Sequence, residues 1–509
     1  MGIDSVASAP ALGRGSRDSA DMAAWGLPLA GLVVVGFVLR LIRLDASSFW
    51  ADELFSIVWI RQSYHFLWTE GMAVEPNPPL YYTLLKAWTE LVGGHDEASA
   101  RLLSVLLSTA TIPIVGLIGR ELGGRRVGLL AAALFALMPV QIYFAQETRT
   151  FALLIFFLAA ALLGSIRFAR AAAEGRKGWG PLALYALAAA GMVYSHVTAL
   201  VVLAALNLCT LAWTLWFPRS RIAAGRLVAA NLAVALAAVP QLLVVLEQIG
   251  RPEHSFIEQP NFVRLVGLAD TLFVDPSTPW WQFRLASLAA ALVMALLGLL
   301  VILARPGRLA WTIAVGPAVV FLALALLMGL RAPILLPRTI AWISVPVCVL
   351  AALAILSHRP PRVLRGMLVL ALAFAIGLGL HGVYFRTPDA KEDWRGLVAE
   401  LRGRVAPGDL LAIGPSTTSL AEQVYGDLPA EHAKWLPEGV VLHSFLQRKH
   451  AGTQMRADDL TRAVADGRRV WLVLWARDWS IHGTEAMQAV HGATPRVESD
   501  HAQLVLLSW

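Results

Sequence analysis

A bundle of about eleven membrane-spanning helices with an α/β domain after it is the fold class this sequence predicts, and three observations predict it. Of 509 residues, 57% are hydrophobic and only 15% charged, where a soluble domain carries about 25% charged residues. Apolar runs of the roughly 17–25 residues that cross a bilayer as a helix recur along most of the chain. From about residue 386 the pattern changes to amphipathic helix, turn and apolar strand.

Taken in order, residues 1–23 are rich in Ser, Ala and Gly and are predicted to form a disordered cytoplasmic tail. Spans are predicted near 24–42, 101–119, 127–144, 150–167, 181–196, 197–217, 227–246, 284–304, 309–329, 338–356 and 366–385. The loops "GRELGGRR", "RFARAAAEGRKG", "PRSRIAAGR", "ARPGR" and "SHRPPRVLR" are all net basic, which marks the cytoplasmic side. This placement also explains a net charge of +7 without a nucleic-acid partner. The stretch "NPPLYYTLLKAWTELVGG" (77–94) is apolar but holds Lys86 and Glu90. If it spanned, the first arginine cluster would move outside. It is therefore predicted to be an amphipathic helix at the outer surface.

The resulting topology places the N-terminus inside and the C-terminus outside. The membrane domain covers 24–385, with a first outer loop at 43–100 and a second at 247–283. Residues 386–509 are predicted to form an extracytoplasmic α/β domain, with "HAQLVLLSW" as its closing strand. Cys209 and Cys348 fall inside apolar runs, without metal-type spacing, and read as small apolar residues.

Span interiors are nearly free of charge, which argues against an ion-coupled transporter. Polar groups gather instead at the predicted outer ends. "SSFWADELFS" carries Asp52 and Glu53. Glu75 and Asn77 precede the pair Pro78-Pro79 and Tyr81-Tyr82. "FAQETRTF" carries Glu147 and Arg149, His196 ends the fifth span, and "RAPILLPR" carries Arg331 and Arg338. An Arg fork suits a phosphate, and a carboxylate near a hydroxyl can act as general base. Base, phosphate clamp and lipid-facing groove together suit glycosyl transfer from a lipid-linked sugar phosphate.

An N-terminal span followed by "FWADE", "EPNPPLYYTLLKAW" and "ARLLSVLLST…GRELGGRRVGLLAAALFALMPVQIYFAQETRTFAL" resembles the C-type membrane glycosyltransferases of the protein O-mannosyltransferase-like group, whose superfamily includes the lipid A aminoarabinose transferase. The similarity runs in order through about residues 25–200, and "LLPRTIAWISVP" is similar to a late family segment. The resemblance implies a polyprenyl-phosphate sugar donor, a lipid, glycan or protein acceptor, an extracytoplasmic site and inversion at the anomeric carbon. It implies that Asp52 acts as or near the base, that Glu53 orients it or binds acceptor, and that Glu75, Asn77, Tyr82, Glu147 and His196 line the cavity. Arg149 or Arg338 would hold the donor phosphate. Some members place a cation before the proline pair. This chain has Glu75-Pro76-Asn77-Pro78, so that contact shifts to the arginines.

Each of these residues also has a purely structural reading. Asp52 and Glu53 suit a helix start, Glu75 and Asn77 suit a turn before prolines, Glu147 and Arg149 suit a surface ion pair, and the two tyrosines suit interface anchors. Trp471, Trp475 and Trp479 read as packing. Adjacent carboxylates could hold a divalent ion, but the resembled group is not expected to use one, and no cofactor is expected. A non-enzymatic translocator of lipid-linked sugars is the alternative function. It would keep the groove and have no need of Asp52.

Overall fold

The computed structural model describes residues 14–75, 77–216, 221–248, 270–273, 280–330, 334–385, 391–413, 417–426, 431–435, 454–455, 462–475, 496–501 and 504–508. Arg331, Trp479, most of the expected second loop and residues 1–13 of the expected tail lie outside these residues.

The first helix, α1 (Arg14–Leu41), begins ten residues before the expected span at 24. A formed apolar segment is a nucleus onto which an Ala-containing flank adds turns cheaply, so the helix extends into the expected tail. Short helices follow: α2 (Ala51–Trp59), α3 (Tyr64–Trp68), α4 (Glu70–Val74) and α5 (Leu80–Val92). Gly93, in the left-handed region at φ 71°, ends α5. At 13 residues α5 is only about 20 Å long, too short to cross a bilayer.

The membrane bundle continues with α6 (Glu97–Gly123), α7 (Arg125–Leu137), α8 (Pro139–Ala145), α9 (Phe151–Ala173), α10 (Trp179–Val193), α11 (Ala199–Trp216), α12 (Arg221–Ala237) and α13 (Val239–Gln248). Three more long apolar segments lie at Trp280–Ala304, 310–329 and Arg362–Tyr384, and Arg338–Leu356 makes a fourth. Asp96 caps α6 by accepting the Ser99 amide at 3.1 Å. Pro139 and Pro240 cannot continue the backbone ladder, and the chain bends by 57° between α7 and α8 and by 66° between α12 and α13.

Among the described residues, seven helices are long and apolar enough to span, or nine if each bent pair is one span. That criterion alone does not reach the expected eleven. Two of the expected spans are the shorter apolar helices Trp25–Leu41 and Trp179–Val193, and 15 residues rise only about 22 Å.

Small residues let the helices approach closely. A Cβ on Gly128 of α7 would sit 2.5 Å from the Gly116 carbonyl oxygen of α6, and one on Gly164 of α9 would sit 2.7 Å from the Tyr185 amide of α10. α9 is enclosed, with 83% of its apolar window buried against 28% for Arg362–Tyr384. The turn that opens this central helix is where the polar side chains meet.

Beyond the bundle, β1 (Leu410–Ile413), β2 (Glu431–Trp435), β3 (Gln454–Met455), β4 (Val470–Trp475), β5 (Arg496–His501) and β6 (Leu504–Ser508) form a sheet ordered β3-β2-β1-β4-β6-β5. β1 runs parallel to β2 and β4, while β6 is antiparallel to β4 and β5. Trp471 is fully buried, and its Nε1–H donates to Asp409 at 2.9 Å. One buried apolar cluster contains Phe49, Leu54 and Ile57 of the first loop together with Trp394, Leu401, Trp471 and Leu506. The sheet region and α2 therefore share a core.

Candidate functional site

α2 carries Asp52 and Glu53 in its first turn, where carboxylates are favoured by the helix dipole. Successive residues of a helix point about 100° apart, so the two acids face different surroundings.

Glu53 faces inward and is fully buried. Arg101 Nε and Nη2 donate to its two carboxylate oxygens at 2.8 and 2.7 Å. The Thr148 amide donates to Oε1 at 2.8 Å, and the Trp50 amide approaches Oε2 at 3.5 Å. Lys391 Nζ lies 3.7 Å from Oε2. Burial pushes the Glu53 pKa up, but Arg101, Lys391 and the donated hydrogen bonds outweigh it and hold it at about 2. The remaining Arg101 donors go to the carbonyls of Leu44, Ser47 and Ser48 at 2.8, 2.9 and 3.1 Å, so all five of its N–H groups are used. Glu53, expected to orient Asp52 or to bind the acceptor, is a buried brace whose two oxygens are both bonded within the protein.

Asp52 stays partly accessible, with its side chain 32% exposed. Arg338 Nη1 lies 3.4 Å and Arg149 Nη2 3.7 Å from the same oxygen, Oδ2. Arg149 Nη1 also donates to the Asp52 carbonyl at 3.2 Å and to the Tyr82 hydroxyl at 3.2 Å. Tyr82 donates in turn to Glu75 Oε1 at 2.9 Å, which also accepts from Asn77 Nδ2 at 2.6 Å. Burial raises the Glu75 pKa, with Arg149 opposing it. The Arg149 guanidinium stays charged: burial works against its charge, but Tyr82, Asp52 and Glu75 raise its pKa overall.

His196 lies between α10 and α11. Its Nδ1 accepts from the Thr198 amide at 3.1 Å. Burial first, then Arg338 and Arg149, hold its pKa down to about 3, so the ring is neutral near pH 7.

Two of the purely structural readings do not hold. Glu147 and Arg149 do not form a surface ion pair: both are buried, Glu147 pairs with Lys391 at 3.2 Å, and Arg149 turns to Asp52. Tyr81 and Tyr82 are buried rather than interfacial, with Tyr81 bonded to Ser104 at 2.9 Å. Sequence reasoning missed Arg101, Lys391 and Glu392. Arg101 at the predicted outer end of a span was a visible signal, because it breaks the basic-inside bias as Arg338 does. Nothing local marks Lys391. Among the described residues, no three His, Cys, Asp or Glu side chains gather in a metal-binding group.

Residues 76–244, a third of the chain, match the family model of dolichyl-phosphate-mannose-protein mannosyltransferases. No curated protein sequence matches. The apo crystal structure of ArnT from Cupriavidus metallidurans superposes with a TM-score of 0.59 at 13% identity, covering 96% of this chain and 98% of that one. The same protein bound to undecaprenyl phosphate gives 0.56 at 14% identity, with the same coverage. The archaeal oligosaccharyltransferase AglB from Archaeoglobus fulgidus, in complex with an inhibitory peptide and a dolichol-phosphate, gives 0.50 at 11% identity, covering 90% of this chain and 70% of that one. The chain is a multi-pass membrane protein with the fold of the C-type membrane glycosyltransferases, and a third of its length matches their mannosyltransferase family.

Proposed function

We propose that this protein is an inverting glycosyltransferase that moves a sugar from a polyprenyl-phosphate donor to a hydroxyl of a lipid, glycan or protein acceptor on the outer side of the cytoplasmic membrane. One observation carries the reading: the partly exposed Asp52 carboxylate lies within 4 Å of two guanidinium groups from distant segments. The fold shared with a protein that binds undecaprenyl phosphate supports a lipid-linked donor. The basic loops opposite the site support its outward orientation.

In this mechanism Arg149 and Arg338 hold the donor phosphate, and Asp52 takes the proton of the acceptor hydroxyl. The acceptor oxygen bonds to the anomeric carbon from the face opposite the phosphate. The bond from that carbon to the phosphate oxygen breaks, and its electron pair leaves on the polyprenyl phosphate, where the arginines stabilise the charge. Configuration inverts, as in other single displacements that place a base on the far face of the sugar. Tyr82, Glu75 and Asn77 hold Arg149 from behind, and neutral His196 stands near both arginines without adding charge. The arginines supply the positive charge, so we propose that no metal ion is needed.

The test is transfer from a synthetic polyprenyl-phosphate sugar by purified protein. The expected result is loss of product with Asp52→Asn and inverted configuration in the wild-type product. A translocator would leave the sugar–phosphate bond intact and tolerate Asp52→Asn, and that outcome sinks the proposal.

A further inference from the structure

The chain that leads from the membrane bundle into the sheet region lies along the first turn of α2. The Glu392 carbonyl accepts from Ser48 Oγ at 2.8 Å, and its carboxylate accepts the Ala51 amide at 3.1 Å. Trp394 is fully buried in the cluster that holds Leu54. Lys391 points the other way, under the turn before α9. Its side chain is only 8% exposed, its ammonium is 3.2 Å from Glu147 and 3.7 Å from Glu53, and the Tyr143 and Trp50 rings flank it at 5.3 and 5.9 Å.

These contacts make Lys391 a cross-link between two backbone segments. Glu53 neighbours Asp52 on α2, and Glu147 is two residues before Arg149. Arg101 is wholly committed to Glu53 and to loop carbonyls, so Lys391 is the cation the structure sets against Glu147 among the described residues. The Thr148 amide bonded to Glu53 is the second tie between the segments. Across the far side of the same junction, Arg149 meets Asp52.

We propose that Lys391 is a positioning residue of the transfer site: bridging Glu53 and Glu147, it fixes the 147–149 turn against α2 and so holds Arg149 at Asp52. The proposal rests on reading Arg149 as the phosphate clamp. It gives the segment entering the sheet region a defined part in building the site. A displacement of about 1 Å at such a clamp can cost about a hundredfold in turnover.

The experiment uses full-length protein and two readouts, binding of polyprenyl phosphate and sugar transfer. Lys391→Met is expected to weaken polyprenyl-phosphate binding about tenfold and transfer about a hundredfold, with Lys391→Arg recovering most of both. The variants Arg149→Ala and Lys391→Met/Arg149→Ala are expected to bind equally weakly, because contacting groups in one chain of effects are not additive. Lys391→Met/Glu147→Gln removes the unpaired buried charge, so it is expected to melt near the wild type and still bind weakly. Wild-type binding by that double variant, or effects of Lys391→Met and Arg149→Ala that multiply, overturns the proposal. Transfer by Asp52→Asn alongside a non-additive binding cycle would instead remove the base assignment and leave Lys391 in place.

Discussion

Two charged regions lie back to back on the first turn of α2, and they differ in how their charges are compensated. The inner one, around Glu53, is buried: Arg101 uses every donor it has, and Lys391 sits between two carboxylates. The outer one, around Asp52, is a third exposed, and its two arginines approach at 3.4 and 3.7 Å, longer than a charge-assisted hydrogen bond of about 2.7–2.9 Å. A saturated knot holds geometry; a loosely paired, open carboxylate keeps room for a substrate. Neighbouring acids in "ADE" thus take different roles because the helix turns them apart.

The comparison breaks most plainly at Asp52. Asp52→Asn should lower transfer by about 10²–10⁴-fold, the usual reach of a general base, with an unchanged melting temperature; a collapse of the melting temperature would make Asp52 structural too. The inner region should respond in the opposite way. Arg101→Met leaves Glu53 charged and buried and should cost about 3–5 kcal/mol of stability, visible as a lower melting temperature in detergent, while Arg101→Met/Glu53→Met recovers much of it. If Arg101→Met melts like the wild type, the knot is not the brace described here.

Arg338→Ala should lower kcat/KM for the donor by about 10–100-fold, which corresponds to one charge-assisted contact. An unchanged kcat/KM would place Arg338 away from the phosphate. Acid stability sharpens the contrast further. The Glu53 carboxyl is held at about 2 in the folded chain against an ordinary 4.5, so the folded state binds fewer protons than the unfolded between those values. Its contribution is present above about 4.5 and is lost as pH falls toward about 2. The melting temperature of Glu53→Gln should therefore fall less steeply than that of the wild type across this window; parallel slopes would show that Glu53 is not held down. The smallest expected effect is that of a chelator: transfer in excess EDTA should match the untreated rate, and restoration of a lost rate by added divalent ion would reverse the metal-free reading.

Much of the membrane bundle was legible because hydropathy and loop charge are local properties. The runs that read as spans became helices, and the short, charged α5 formed a helix too short to span. The departures have physical causes. Two expected spans are helices shorter than a bilayer-crossing segment, two are bent at Pro139 and Pro240, and α1 grew past its apolar run into the tail. Of the expected site residues, Asp52, Arg149 and Arg338 meet directly, and Tyr82, Glu75 and Asn77 stand behind Arg149.

By itself, the sequence determined that the chain is built for a bilayer, that its charged groups largely avoid span interiors, and which acids and arginines were available for chemistry. These follow from transfer energies that each residue carries with it. Tertiary structure alone decided which acid is spent and which is open. Glu53 finds Arg101 forty-eight positions away, and Asp52 finds Arg338 across 286. Such pairings depend on where helices cross and which face each presents, and no local pattern encodes that.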